Sequence, residues 1–233
     1  MKKFNWNIFW DKKANEDFVA STGKTSSRKE DFFLYLYYII KNLKGVNNKD
    51  IILDAGGGAG YLAYCLSPIV KKLYSFDFSK NLIRNSIKLN KHNKNIKIYQ
   101  NNILKMNSGA IKKKIFTKII VGSVLQYLNN YNEVERVFQN LKKISSKKII
   151  ILFTHNPDIK KKASFIKTYN NLKWQKKKIL KSLKMEDVRF WLDYTIIKKI
   201  ALKNGYKVKK IKIDNYFFQS THMFDLLLTK KDV

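Results

Sequence analysis

The chain has 233 residues and a formal net charge of +31, from 48 lysines and arginines against 17 acids. Its length suits one domain with a substantial core, and its charge favours an anionic partner over a cationic one. A single cysteine, Cys65, excludes an internal disulfide and any cysteine-built metal cluster, which fits a reducing cytoplasm.

The opening Met1–Asn7 lacks the apolar core of a signal peptide, and the longest greasy run, Phe32 to Ile40, is too short to span a bilayer. That run reads as a largely buried helix. Ile51-Ile52-Leu53 reads as a buried strand ending in Asp54, and Gly56, Gly58 and Gly60 form a tight turn into a helix that holds Cys65. Strands are expected at Lys72–Asp77, Ile96–Gln100, Phe116–Val121 and Lys148–Phe153. Between the last two, Asn132 to Lys143 is an amphipathic helix with Val134, Val137, Phe138 and Leu141 on one face. A lysine-rich stretch from Lys160 to Lys184 carries Phe165, Tyr169 and Leu172, then Ile179, Leu180 and Leu183, at helical intervals. It reads as two helices whose lysines either face solvent or shape a pocket. Asp193 caps a helix through Leu202, and Gly205 stops it. Tyr206–Ile213 alternates at period two, and His222–Thr229 is its partner strand. Strand and helix alternating in this way argue for a parallel sheet wrapped on both faces.

The glycine turn narrows the ligand. Bare backbone lets a nucleotide-type cofactor approach, with unpaired N–H groups of the next helix pointing at it. A dinucleotide fingerprint would place its third glycine at residue 61, which is Tyr61. What is present is acid-x-G-x-G-x-G from Asp54, followed 23 residues later by Asp77 at the end of the next strand. A carboxylate there accepts two hydrogen bonds from a vicinal diol. The plainer reading makes Asp54 and Asp77 a helix cap and a solvated strand end.

The pattern resembles motif I of the class I S-adenosylmethionine-dependent methyltransferases, over roughly residues 49–229. The resemblance implies a Rossmann-like α/β fold: a seven-stranded, mostly parallel sheet with an antiparallel terminal hairpin and helices on both faces. It divides one domain into an N-terminal lid (1–48), a cofactor-binding core (49–153), a basic helical cap (154–192) and a closing helix and hairpin (193–233). Phe9 to Gly23 looks like the cover that small-molecule methyltransferases fold over their cofactor, though a plain packing helix would read the same way. S-adenosylmethionine is the implied cofactor, held by Asp54, Gly56, Gly58, Asp77, Phe78, Asn102, Ile103 and Ser123. Phe78 either covers one face of the adenine or packs in the core. Asn101-Asn102-Ile103 stand where the family usually has an acid facing the adenine amine, and Asn can also accept from that amine.

Methyl transfer is an in-line displacement, so the protein supplies alignment and a place for the proton. The site is expected outside the carboxyl ends of the strands, with any base on a loop there. His155, in Thr154-His155-Asn156-Pro157, is the first candidate because histidine titrates near neutrality; it is otherwise a structural histidine. Tyr127 and His222 follow, and His92 reads as exposed. In some relatives a histidine stands where Gln126 is, and Gln126 cannot act as a base. Gly122-Ser123-Val124-Leu125 is not the Pro-Pro loop of amino methylation on bases, and Cys65, on a core helix, is no pyrimidine nucleophile. Only four of the basic residues are arginine, at 28, 84, 136 and 189, which argues against a nucleic-acid surface. Lysine, asparagine and isoleucine also share A/T-rich codons. The reading is a cytoplasmic enzyme that methylates oxygen, or less readily nitrogen, on a small anionic acceptor, with no metal and no membrane span. The resemblance extends to enzymes that modify sugar or phosphoramidate precursors of capsular polysaccharide. The rivals are an RNA methyltransferase and a non-catalytic partner protein that binds S-adenosylmethionine.

Overall fold

A computed structural model describes residues 4–15, 30–106, 108–111, 114–171 and 188–230. Among the described residues, α1 (Trp6–Lys13) and α2 (Glu30–Asn42) precede the sheet. The sheet then builds outward and back: β1 (Ile51–Ala55), α3 (Tyr61–Leu66), β2 (Lys72–Asp77), α4 (Lys80–Leu89), β3 (Ile96–Gln100) and β4 (Phe116–Gly122). A short 3-10 turn at Leu125–Tyr127 leads into α5 (Tyr131–Ile144), and β5 (Ser145–Pro157) and α6 (Lys162–Asn171) follow. The last elements are α7 (Tyr194–Lys203), β6 (Tyr206–Ile211) and β7 (Met223–Lys230).

The seven strands lie in the order β3-β2-β1-β4-β5-β7-β6. β1 to β5 pair in parallel, and β7 is antiparallel to both β5 and β6. β1 lies between β2 and β4, so the chain order reverses beside it, and the carboxyl ends of the strands there are where sheets of this kind take their ligands. The period-two pattern explains the two layers. Leu53, Ile119, Ile151 and Phe153 join Val137, Phe138 and Leu141 of α5 and Ile197 and Ala201 of α7 in one core. Their neighbours Ile52, Ile120 and Leu152 join Ile39 of α2, Leu43 just beyond it, and Leu62 and Leu66 of α3 in the other. Phe138 stacks on Phe153 at 5.3 Å. β3 and β6 form the two edges, with exposed Lys97 on one and exposed Lys207, Lys209 and Lys210 on the other.

Helix ends follow their signals. Ser79 accepts from the Leu82 N–H at 3.2 Å, Asn130 from Glu133 at 3.0 Å and Asp193 from Thr195 at 2.7 Å. At the amino end of the sheet, Asp50 is paired with Lys118 at 2.5 Å and also accepts from Asn47 N–H and Thr117 Oγ1.

Three expectations need correction. α2 is not largely buried: Tyr38 and Ile39 are, while Phe33 and Tyr37 on its outer side are 67% and 63% exposed. β6 ends at Ile211 rather than Ile213, because Ile213 turns away to pack with Tyr38 and Phe217. β5 runs to Pro157, past the expected end at Phe153, because its last residues pair with β7. Of the two helices expected in the lysine-rich stretch, α6 is the first, and the second lies outside the described residues.

Candidate active site

The glycine turn leaves β1 and folds toward β2, with the N–H groups of Gly56 and Gly57 both donating to Phe76 O at 2.9 Å. Gly56 has φ +81, and a Cβ on it would collide with Val124. Gly58 has φ +56 with open space where a Cβ would stand, so the backbone there is bare to an approaching ligand. Asp54 lies beneath the turn, 3% exposed, and its Oδ2 has no hydrogen-bond partner. Burial, and next the charge of Asp77, push its carboxyl up to about 7. Asp77 is also buried. Its Oδ2 accepts from Gly58 N–H at 3.0 Å and its Oδ1 from Ser79 N–H at 2.9 Å. Burial still prevails over those bonds and raises it to about 6.

Beside Asp77, Phe78 and Asn102 line a shallow cleft of about 310 Å³ with Asn7, Gln100 and Asn101. Asn102 is exposed, and its Oδ1 accepts from Leu104 N–H at 2.8 Å. The Ile103 side chain points the other way, into the core formed with Phe116 and Val121. α1 is fastened over this end of the sheet. Asp11 Oδ1 accepts from Ser79 Oγ at 2.5 Å and Asn81 N–H at 3.1 Å, and Asn85 Nδ2 donates to Ala14 O at 2.7 Å. Tyr127 belongs to the same cover. Its ring lies 4.7 Å from Trp6 and 5.8 Å from Trp10, and its hydroxyl accepts from Gln126 Nε2 at 2.9 Å.

His155 stands on the other side of β4. It was expected on a loop, but it lies inside β5 at a bulge where the pairing with β7 shifts between Phe153 and Asn156. The bulge gives His155 φ +56 and turns its N–H to the Asp225 carboxylate at 2.6 Å. Its Nδ1 is 3.5 Å from Ser123 Oγ, and its ring stacks on Tyr35 at 5.2 Å. Ser123, also at φ +56, donates its N–H to Thr154 O. Asp225 is fully buried, accepts from Tyr38 Oη at 2.8 Å, and is raised to about 7 by burial. Ser123 thus links the two halves: its hydroxyl meets His155 and its carbonyl accepts from Gln126. His222 is apart from them, stacked on Phe165 at 4.0 Å and hydrogen-bonded to Thr221 Oγ1. Burial, then the charges of Arg189 and Lys161, hold it down at about 3. His92 is exposed just beyond α4.

A family profile described as a methyltransferase domain matches residues 47–189, from before β1 to beyond α6. The chain belongs to the methyltransferase family. It is a class I enzyme, with S-adenosylmethionine as methyl donor. Its fold is similar to that of N-methyltransferase NodS from Bradyrhizobium japonicum WM9, solved with S-adenosyl-L-homocysteine (TM-score 0.69, 15% identity, 98% of this chain and 100% of that one). It is also similar to magnesium protoporphyrin IX methyltransferase ChlM from Synechocystis PCC 6803, solved with the same product (TM-score 0.63, 12% identity, 96% and 94% covered). No curated protein sequence matches it.

The residues of this methyltransferase suit that donor. Two buried acids, Asp54 and Asp77, lie at the turn, Asp54 keeps an unpartnered oxygen, and the backbone at Gly58 is open. Several neighbours of the methyltransferase site were not singled out from sequence: Tyr35, Tyr38, Thr154, Asp225, Trp6, Trp10 and Asp11. Asp225 had a signal, as the one charged residue in the apolar run Met223–Leu228. The tyrosines of α2 had none, since nothing local distinguishes those that meet His155 and Asp225 from exposed Tyr37.

Proposed function

We propose that this methyltransferase transfers the methyl group to a hydroxyl oxygen of a small anionic acceptor, with His155 as the base. The observation that carries this reading is the bulge in β5, which holds an imidazole at the carboxyl edge of the sheet, against Ser123 and stacked on Tyr35. Asp54, Gly56, Gly58 and Ser123 would hold the methionine half of the donor, Asp77 its ribose, and Phe78, Asn102 and the backbone at Ile103 its adenine. When bound, S-adenosylmethionine supplies a methyl group made electrophilic by its sulfonium. The protein's part is then to hold the acceptor in line and to receive its proton. An imidazole suits a hydroxyl, whose proton leaves as the oxygen attacks. α1, fastened by Asp11, acts as a lid that keeps water out.

The preference for an anion rests on the net charge of +31 and on Lys161 and Arg189, whose charges reach His222 at the same edge of the sheet. Sugar phosphates and related precursors of surface polysaccharide belong to this acceptor class. The test is turnover of a panel of phosphorylated sugars against their neutral parents, with products read by mass spectrometry. Anionic acceptors are expected to gain one methyl on oxygen. Equal turnover of neutral sugars would remove the anionic preference, and methylamine products would move the reaction to nitrogen. His155→Asn, which tolerates the left-handed backbone, is expected to lower turnover about a hundredfold. Undiminished turnover would take the base away from His155.

A further inference from the structure

His155 is fixed from three directions by elements far apart in the chain. Its backbone stands at φ +56, a left-handed conformation that a residue with a Cβ keeps only where its surroundings impose it. Asp225 of β7 imposes it. One carboxyl oxygen accepts the His155 N–H at 2.6 Å, and the other accepts from Tyr38 Oη at 2.8 Å. Asp225 is fully buried, so water does not compete for either bond. Tyr35, one turn before Tyr38 on α2, takes the face of the ring. It stacks on the imidazole at 5.2 Å, and its hydroxyl lies 2.9 Å from Oγ1 of Thr154, the residue before His155. Ser123 Oγ, 3.5 Å from Nδ1, meets the ring edge.

Packing alone does not account for these residue types. Phenylalanine would fill the same space, and α2 uses it at Phe32 and Phe33. Tyr35 and Tyr38 instead set their hydroxyls on the bulged strand and on the acid that shapes the bulge, while Tyr37 is 63% exposed. A Cβ at Gly122, the last residue of β4, would come within 3.1 Å of Tyr35 Oη, so glycine leaves that hydroxyl its place. We propose that Tyr35, Tyr38 and Asp225 are positioning residues that hold the His155 imidazole in the pose from which it receives the acceptor's proton. The inference rests on the reading of His155 as the base. Asp225 acts through the His155 backbone, Tyr38 through Asp225, and Tyr35 on the ring itself. None of the three meets the reacting atoms, and α2 becomes the support of the base.

The first test needs no acceptor. The chain has three histidines, at 92, 155 and 222, so NMR of histidine-labelled protein resolves their rings, and His155→Asn assigns one of them. The His155 ring protons are expected upfield because of the stack on Tyr35. Asp225→Leu and Tyr38→Phe are expected to move them toward the position of exposed His92. The second test is turnover of a phosphorylated sugar from the panel above. Asp225→Leu should lower kcat about tenfold, leave the KM for S-adenosylmethionine within about twofold, and have less than about a twofold effect when His155 is already Asn. Asp225→Asn, which can still accept the His155 N–H, should restore most of the loss. If Asp225→Leu does not fold, Tyr38→Phe carries the same comparison, since it removes one hydroxyl and keeps the ring. Unmoved ring signals, or an equal loss in the His155→Asn background, would overturn the positioning role. Failure of the base reading looks different: the ring signals move as expected, but His155→Asn turns over undiminished.

Discussion

Asp50 and Asp54 stand four residues apart at the two ends of β1, and the fold treats them in opposite ways. Asp50 is buried with a lysine at 2.5 Å, an N–H and a hydroxyl around it. Burial alone would raise it, but those partners, Lys118 foremost, hold it below the usual carboxylate value. Asp54 is buried beside a second acid, Asp77, with one idle oxygen, and it rises to about 7. A buried acid that has its partner serves the structure. One denied a partner is costly to keep, and the glycine turn above it indicates what completes it.

That contrast can be broken from either end. The largest effect is expected from Lys118→Met, which strands Asp50: urea unfolding should show a loss of about 3–5 kcal/mol, while the folded fraction keeps its affinity for S-adenosylhomocysteine. A loss of affinity instead would place Lys118 in the donor site. Asp54→Asn should do the reverse. It removes a charge the free protein does not want, so stability at pH 8 should rise by about 1–3 kcal/mol, while S-adenosylhomocysteine binding weakens at least about tenfold. A destabilised variant with normal binding would make Asp54 structural.

The pH dependence sharpens the contrast. Asp54 and Asp77 titrate at about 7 and about 6 in the fold, against 3.8 ordinarily. Between those values the folded chain holds more protons than the unfolded one. Their stabilising contribution is thus present below the unfolded value and is lost as pH rises through 6 to 7. Asp50, with its lowered value, works in the opposite sense: its contribution is present above the unfolded value and is lost as pH falls through the folded one. Thermal melts of the free protein from pH 4 to 8 should therefore show a falling slope that Asp54→Asn flattens. Affinity for a ligand bearing an ammonium should climb over the same range. The smallest effect is expected at Lys203, 73% exposed and 2.6 Å from Glu135. Lys203→Ala should change stability by about 0.5 kcal/mol or less, showing that burial, not pairing alone, gives Asp50 its weight.

Much of this was legible in the residues. Alternation along Ile51–Asp54 and Phe116–Val121, glycine spacing and the caps at Ser79 and Asp193 are local signals, and the strands and helices came out within a few residues. The placing of Asp54 and Asp77 together was legible because motif spacing fixes both on neighbouring strand ends. The bulge at His155 was not, because its left-handed backbone is imposed by Asp225, 70 residues later in the chain. The burial of Gln126 and the direction of the Trp10 indole depend on α1 meeting the segment after β4, a contact that no periodicity announces.

The lysines on the outermost strands have a consequence for the molecule in a crowd. A sheet with two open rims offers unpaired backbone groups to any other copy that drifts alongside. Lys97 on one rim, and Lys207, Lys209 and Lys210 on the other, set like charge against like whenever two rims approach. Lysine at both rims thus opposes any pairing of one copy's sheet with its neighbour's.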